Sequence, residues 1–328
     1  MGKSQRNVDL ADKGTDALGP LNRFSYEAMA TTFEIFIQHD DARYAAQAAR
    51  AAFDEVDRLE TLLSRFIENS DISRINNLSA GESLPVSLDT FECLKIAAKI
   101  YDETDGAFDV TIGSLLRLWH NNDKKTPSKE ALKHAMEKTG MDLVKLDDDK
   151  YTVTMSRDGV QLDLGAIGKG YAVDVACELL RDWQLDRSLV SGGYSTVAAL
   201  DAPVNKQLEK RCWPLTFSHP LNRKRIIARP CLQNRALSCS GIEKASHIID
   251  PRTAEPAHGT IAAWSTAPDA ATADALSTAL MVMKAEQIQK YCAEHPHVMA
   301  MVMLPKSNGE NAENQLLKFG KWPNIMNS

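Results

Sequence analysis

The sequence lacks any run of about 18 consecutive apolar residues, so it contains no candidate membrane-spanning helix. It has no CxxC pair and no His/Cys cluster, which excludes zinc and iron–sulfur readings. The six cysteines, Cys93, Cys177, Cys212, Cys231, Cys239 and Cys292, are scattered through apolar stretches and read as reduced core residues. That pattern leans towards a reducing compartment. Basic charge is not in excess: the net charge is -6, so there is no positive field for nucleic acid. Low-complexity tracts, internal repeats and blocks of like charge are also missing. The N-terminus has no apolar h-region, and Arg6 stands where a myristoylation motif needs Ser or Thr. As the sequence stands the expected location is cytoplasmic; it becomes exported or periplasmic if a leader has been removed.

What is present is ordinary for a soluble globular protein, with 44% hydrophobic and 25% charged residues over 328 positions. Residues 1–22 are polar and read as a flexible lead-in, followed by one functional domain over 23–328. Phe33, Ile35 and Ile37 alternate with polar neighbours, predicting a half-buried strand over 32–38. Ala45, Ala48, Ala52, Val56, Leu59 and Leu63 share one helical face, predicting a long helix over 41–63. Further helices are expected at 88–103, 128–139, 169–183, 271–284 and 285–294. Two strands should flank an Asp-rich turn within 143–155, with others at 188–191, 195–200, 214–217, 225–228, 260–266 and 297–304. Helices and strands come in blocks rather than in alternation, which argues for an α+β fold over a doubly wound sheet.

Three segments carry chemistry. Gly165, Gly168 and Gly170 lie between a strand and a helix, where a backbone can approach a diphosphate at a helix N-terminus. The spacing is neither GxGxxG nor GxxxxGK[ST], and the segment alone also fits a plain turn with packing glycines. Asp274 and Thr278 are four apart on a predicted helix, so a carboxylate and a hydroxyl share a face suited to Mg²⁺. Alone, Asp274 also fits a helix cap. His247 precedes an Asp250-Pro251 turn and is either a proton carrier or a structural histidine. Trp119, after Leu115 and Leu118, reads as core rather than as a flavin-stacking ring.

Eight segments in this order resemble the FAD:protein FMN transferase (ApbE) family from about residue 27 onward. They are Met29-Ala-Thr-Thr, Leu63-Ser-Arg-Phe-Ile-Glu-Asn-Ser-Asp-Ile-Ser-Arg-Ile-Asn, Gly106-Ala-Phe-Asp-Val-Thr-Ile-Gly, Asp163-Leu-Gly-Ala-Ile-Gly-Lys-Gly-Tyr-Ala-Val-Asp, Ser191-Gly-Gly, Ser240-Gly, His247-Ile-Ile-Asp-Pro-Arg-Thr and Ala273-Asp-Ala-Leu-Ser-Thr. The resemblance implies two closely packed subdomains, with mixed or antiparallel sheets and flanking helices, around an FAD groove. It implies FAD contacts at Met29, Phe66, Ala107, Phe108, Asp109, Asp163, Lys169 and Ile248. It implies Mg²⁺ held by the Ala166 carbonyl, Asp274 and Thr278, with Ser277 as a further candidate, and His247 as base. The implied activity is Mg²⁺-dependent transfer of FMN from FAD to a Ser or Thr of an acceptor protein, releasing AMP. An FAD pyrophosphatase and a non-catalytic FAD-binding protein are the alternatives. Three positions depart from the family pattern. Ala254 and Ala30 stand where the family usually has Gly, and Tyr194 stands where Asn or Asp is common. If the position of Ala254 needs a positive φ, the alanine carries strain.

Overall fold

The computed structural model describes residues 8–10, 20–120, 126–205, 210–220, 222–241, 248–305 and 314–322. Eight of its strands build one sheet: β1 (Asn22–Ala28), β2 (Thr31–Ile37), β3 (Ser188–Gly192), β4 (Thr196–Ala199), β5 (Arg235–Gly241), β6 (Ala262–Ala267), β7 (Met299–Leu304) and β8 (Gln315–Phe319). Their order across the sheet is their order along the chain, and every neighbouring pair is antiparallel. Apart from Val8–Leu10, the other described elements are inserted between these strands. The α+β expectation holds.

Helices cover one face: α1 (Ala42–Leu63), α2 (Asp71–Ile75), α3 (Leu88–Glu103), α4 (Gly113–His120), α5 (Lys129–Met136), α6 (Gly168–Asp182), α7 (Ala270–Ala279) and α8 (Ala285–Glu294). Asp41 starts α1 by accepting hydrogen bonds from the backbone N–H of Arg43 and Tyr44 at 2.9 and 3.0 Å. The helix then buries Ala45, Ala48, Ala52, Val56, Leu59 and Leu63, the face expected from spacing. α7 is buried nearly all round, because its small side chains admit neighbours on every side. It stops at Ala279, with Leu280 as its cap, shorter than the expected 271–284.

Alternation in β2 sends Phe33, Ile35 and Ile37 into the helical core, while Phe36 enters a second core on the opposite face. There the strands Trp213–His219 and Asn222–Ala228 form a smaller sheet that seats Trp213, Leu215 and Phe217 against Leu189, Leu237 and Trp264. β2 is therefore buried on both faces rather than half-buried. Its Glu34 survives inside by pairing with Arg23.

Two expectations are corrected. Within the predicted lead-in, Val8–Leu10 adds an edge strand to Trp213–His219, from Val8↔Phe217 to Leu10↔Leu215. Three residues are too short a segment for periodicity to reveal. Cys212 and Cys231 are not reduced core residues but a disulfide, with Cα atoms 5.3 Å apart. They are 19 positions apart in sequence, and it is the pairing of Pro214 with Cys231 that brings them together. Among the described residues the other four cysteines are buried and outside any disulfide. No described helix is long and apolar enough to cross a membrane.

Candidate active site

A cleft of about 360 Å³ opens between the N-terminus of α6, the α7 helix, β5 and the segment around 107–120. That volume is within the usual range for a small-molecule site. A shallower lobe of about 170 Å³ continues it towards the β1–β2 turn, and Arg65, Asp163, Gly165 and Lys169 line both parts. Of the expected FAD contacts, Ala107, Phe108, Asp109, Asp163, Lys169 and Ile248 line the larger lobe. Met29 and Phe66 line the smaller one, again with Asp163 and Lys169. Residues separated by more than 200 positions thus converge on one groove.

The smaller lobe is built on strained backbone. Met29 and Ala30 form the two-residue turn between β1 and β2, with φ of 49° and 56°. Positive φ at both positions is what a type I′ hairpin needs, and side chains other than glycine resist it. The Met29 N–H is held by Glu60 Oε2 at 2.8 Å, tying the turn to α1. Phe66 is 81% exposed, and the Arg65 guanidinium lies 4.4 Å from its ring centroid. An exposed phenylalanine stiffened by a cation offers a flat apolar face to a ligand.

The waist of the groove is polar. Asn76, just past α2, accepts from Leu162 N at 2.6 Å and donates to Leu162 O at 3.0 Å, fixing the segment that presents Asp163. Asp163 Oδ1 accepts from Gly165 N at 2.8 Å, and Arg65 Nε lies 2.8 Å from Oδ2. The Arg65 Nε–H makes no hydrogen bond, so this is a charge contact. Lys169 donates to the Gly165 carbonyl at 2.6 Å, holding its ammonium over the glycine-rich turn. Asp109 is 6% exposed, and Thr111 donates to its Oδ1 from both N–H and Oγ1. Burial pushes the Asp109 carboxyl up to about 6, against the opposing pull of those hydrogen bonds.

Asp274 projects from α7 and is 5% exposed. Its Oδ1 accepts from Thr196 Oγ1 at 3.0 Å and Ser238 Oγ at 3.1 Å, and its Oδ2 accepts from Gly170 N at 3.2 Å. All three donors are neutral. Among the described residues no cation pairs with this buried carboxylate, an arrangement that leaves its charge for a ligand to balance. Thr278, one turn further on, lines the same cleft, as does Ala166 from the turn before α6. Carboxylate, hydroxyl and main-chain carbonyl form the hard-oxygen set that Mg²⁺ prefers when it also meets substrate phosphates. No group of three or more His, Cys, Asp or Glu side chains is placed to hold a metal among the described residues. Ser277 is fully buried behind Ser240, which lines the cleft. Its Oγ donates to Asp274 O at 2.9 Å and lies 2.9 Å from Ser240 Oγ.

His247 lies outside the described residues. The segment that follows it is well braced: Arg252 clamps Asp250 with two contacts of 2.8 Å and donates to Val282 O at 2.9 Å. Ala254 has φ of 61°, so the conformation that favours glycine is required at this position. Trp119 Nε1 donates to its carbonyl at 2.9 Å, and the ring packs against a small core of Leu115, Ala135, Ile249 and Ala254. Sequence reading missed Arg65, His120, Ser195, Cys239 and Ser240 as cleft residues. Arg65 and Ser240 lay inside motif segments, whereas nothing local marked His120 or Ser195.

Comparison with known proteins shows the family of the chain. The FAD:protein FMN transferase of Salmonella typhimurium is 26% identical over 313 residues, covering 90% of this chain and 88% of that protein. The FAD:protein FMN transferase of Klebsiella pneumoniae is 28% identical over 282 residues, covering 80% and 79%. Among solved structures, the ApbE protein of Thermotoga maritima matches with a TM-score of 0.77 at 28% identity, over 90% of this chain and 96% of that one. The flavin transferase ApbE of Vibrio cholerae matches with a TM-score of 0.78 at 22% identity, over 92% and 97%, and speaks for the fold alone. The model of the ApbE family matches residues 29–303, which take in the sheet from β2 into β7, the groove and α7, and the chain belongs to that family.

Proposed function

We propose that this protein is a Mg²⁺-dependent FAD:protein FMN transferase, carrying FMN as a phosphoester to a Ser or Thr of an acceptor protein. The observation that carries the reading is the buried Asp274 carboxylate, without a cationic partner among the described residues, hydrogen-bonded to the glycine-rich start of α6 in the wall of the cleft. FAD is the substrate, extended along both lobes with its diphosphate near the Gly165–Gly170 turn. Met29, Phe66, Ala107, Phe108, Asp109, Asp163, Lys169 and Ile248 are the contacts assigned to it. Asp274, Thr278 and the Ala166 carbonyl would hold Mg²⁺, with Ser277, whose Oγ donates to the Asp274 carbonyl, as a further candidate. When bound, the ion supplies charge neutralisation for the diphosphate.

The chain's own groups do the rest. Lys169 and the N-terminus of α6 orient the phosphates. The acceptor hydroxyl attacks the FMN-side phosphorus, and the P–O bond to AMP breaks as the new one forms. His247 is assigned the proton released from that hydroxyl. The Asp250–Arg252 clamp steadies the turn that follows His247 in sequence.

Water in place of the hydroxyl would make the protein an FAD pyrophosphatase. Incubation with FAD and Mg²⁺, with and without an acceptor, separates the two. AMP release that depends on the acceptor supports transfer, and equal release without it supports hydrolysis. The Cys212–Cys231 pair favours the exported location over the cytoplasmic one, since disulfides persist in oxidising compartments.

A further inference from the structure

α6 and α7 run antiparallel in backbone contact, and their register leads directly into the cleft. An ideal Cβ on Gly170 would lie 2.3 Å from Ala270 O and 2.8 Å from Ala271 Cα, so only glycine permits the approach. One turn along α6 on the same face, Asp174 reaches the first turn of α7. Its Oδ1 accepts from Ala270 N at 2.7 Å and its Oδ2 from Ala271 N at 2.8 Å. Those N–H groups are among the orphan donors of a helix start, and here the acceptor comes from a neighbouring helix rather than from the local chain. The local cap is separate: Asp269 Oδ1 accepts from Thr272 N at 2.7 Å.

The pairing repeats down the interface. Asp174 meets Ala270 and Ala271, and Gly170 N–H meets Asp274 Oδ2. One turn further, Ala166 and Thr278 face the cleft together. We propose that Asp174 is a positioning residue for the cation site: by gripping the start of α7 it sets the separation and rotation at which Asp274 and Thr278 face Ala166. Asp174 touches neither the cleft nor its assigned ligand set and acts through the helix. This assignment rests on the Mg²⁺ reading of the cleft given above.

The test compares two caps of one helix. Asp174→Asn removes one acceptor of the inter-helix grip, while Asp269→Ala removes the local cap and leaves the grip intact. FAD binding is measured by calorimetry across a Mg²⁺ series, with a thermal melt of each protein alongside. Asp174→Asn is expected to raise the half-saturating Mg²⁺ concentration by roughly 10- to 100-fold, the range for supports behind a metal ligand. Asp269→Ala is expected to lower the melting temperature comparably while moving the Mg²⁺ response by less than about twofold, as a simple helix cap should. Asp174→Glu, which keeps the charge but shifts it by a methylene, serves if the Asn variant does not fold, and its expected Mg²⁺ shift is intermediate. Equal Mg²⁺ responses in the Asp174 and Asp269 variants would overturn the assignment and make Asp174 a cap like any other. If the unsubstituted protein shows no Mg²⁺ response, the reading of the cleft falls first and this one with it.

Discussion

Two alanines held at positive φ give a prediction whose sign is set by burial. Ala30 and Ala254 have φ of 56° and 61°, a region that costs a side chain about 1–2 kcal/mol and glycine nothing. Replacing either with Gly recovers that strain but loses roughly 0.4–1 kcal/mol through the freer unfolded chain. The two sites then part. Ala30 is exposed at the hairpin tip, so its methyl has little to lose. Ala254 is 0% exposed and packs in the small core with Leu115 and Ile249, so deleting its methyl costs a further ~0.8 kcal/mol. Ala30→Gly should therefore stabilise the protein by about 0.5–1 kcal/mol, and Ala254→Gly should change it by about zero. Urea unfolding at fixed pH, read as the midpoint with an unchanged slope, measures both. A larger gain at Ala254 than at Ala30, or a clear loss at Ala30, would refute the reasoning.

Burial raises the Asp109 carboxyl to about 6, so the folded state keeps a proton that the unfolded state has already released. Stability should then fall as pH rises from about 4 to about 6, by an amount on the order of 3 kcal/mol, and Asp109→Asn should flatten that slope. A denaturation series over this window checks it, and an unchanged slope in the variant contradicts it. Alkylation of the denatured, unreduced protein should label four thiols, with six only after reduction; six without reductant would remove the Cys212–Cys231 pair. Asp274→Ala should abolish the Mg²⁺ dependence of FAD binding in calorimetry, with Thr278→Ala milder because a neutral hydroxyl gives less to a dication. Full Mg²⁺ dependence in Asp274→Ala would displace the assigned site. His247→Ala should bind FAD yet slow single-turnover transfer by roughly 10²- to 10⁴-fold, and a normal rate would remove it from the mechanism.

The elements that sequence made visible are those whose apolar spacing belongs to one face. α1 and α3 are found at 42–63 and 88–103 because their alanines and leucines recur at helical intervals. β5 is different: it sits mid-sheet, yet Ser238 and Ser240 interrupt its pattern, and it was not predicted. Those serines are there because Ser238 donates to Asp274 and Ser240 meets Ser277, so the requirements of the site obscured the signal of the strand. β1 escaped for another reason, since its polar outer residues carry no strand propensity of their own. In the site, motif segments brought forward Asp163, Lys169 and Asp274, but their mutual placement depends on long-range packing. Gly170 reads as a loop glycine in sequence, whereas in the fold it is the point where two helices touch. The disulfide is likewise a consequence of strand pairing and has no local mark.

The central claim is that FMN reaches a protein hydroxyl through a new phosphoester bond. Intact-mass spectrometry of a Thr-containing acceptor, incubated with the protein, FAD and Mg²⁺, tests it most directly. The account predicts that the acceptor gains the mass of FMN less one water, with one AMP released per acceptor modified. It also predicts that an acceptor with Ala in place of that Thr gains nothing. Free FMN and AMP appearing together while the acceptor mass stays unchanged would contradict it.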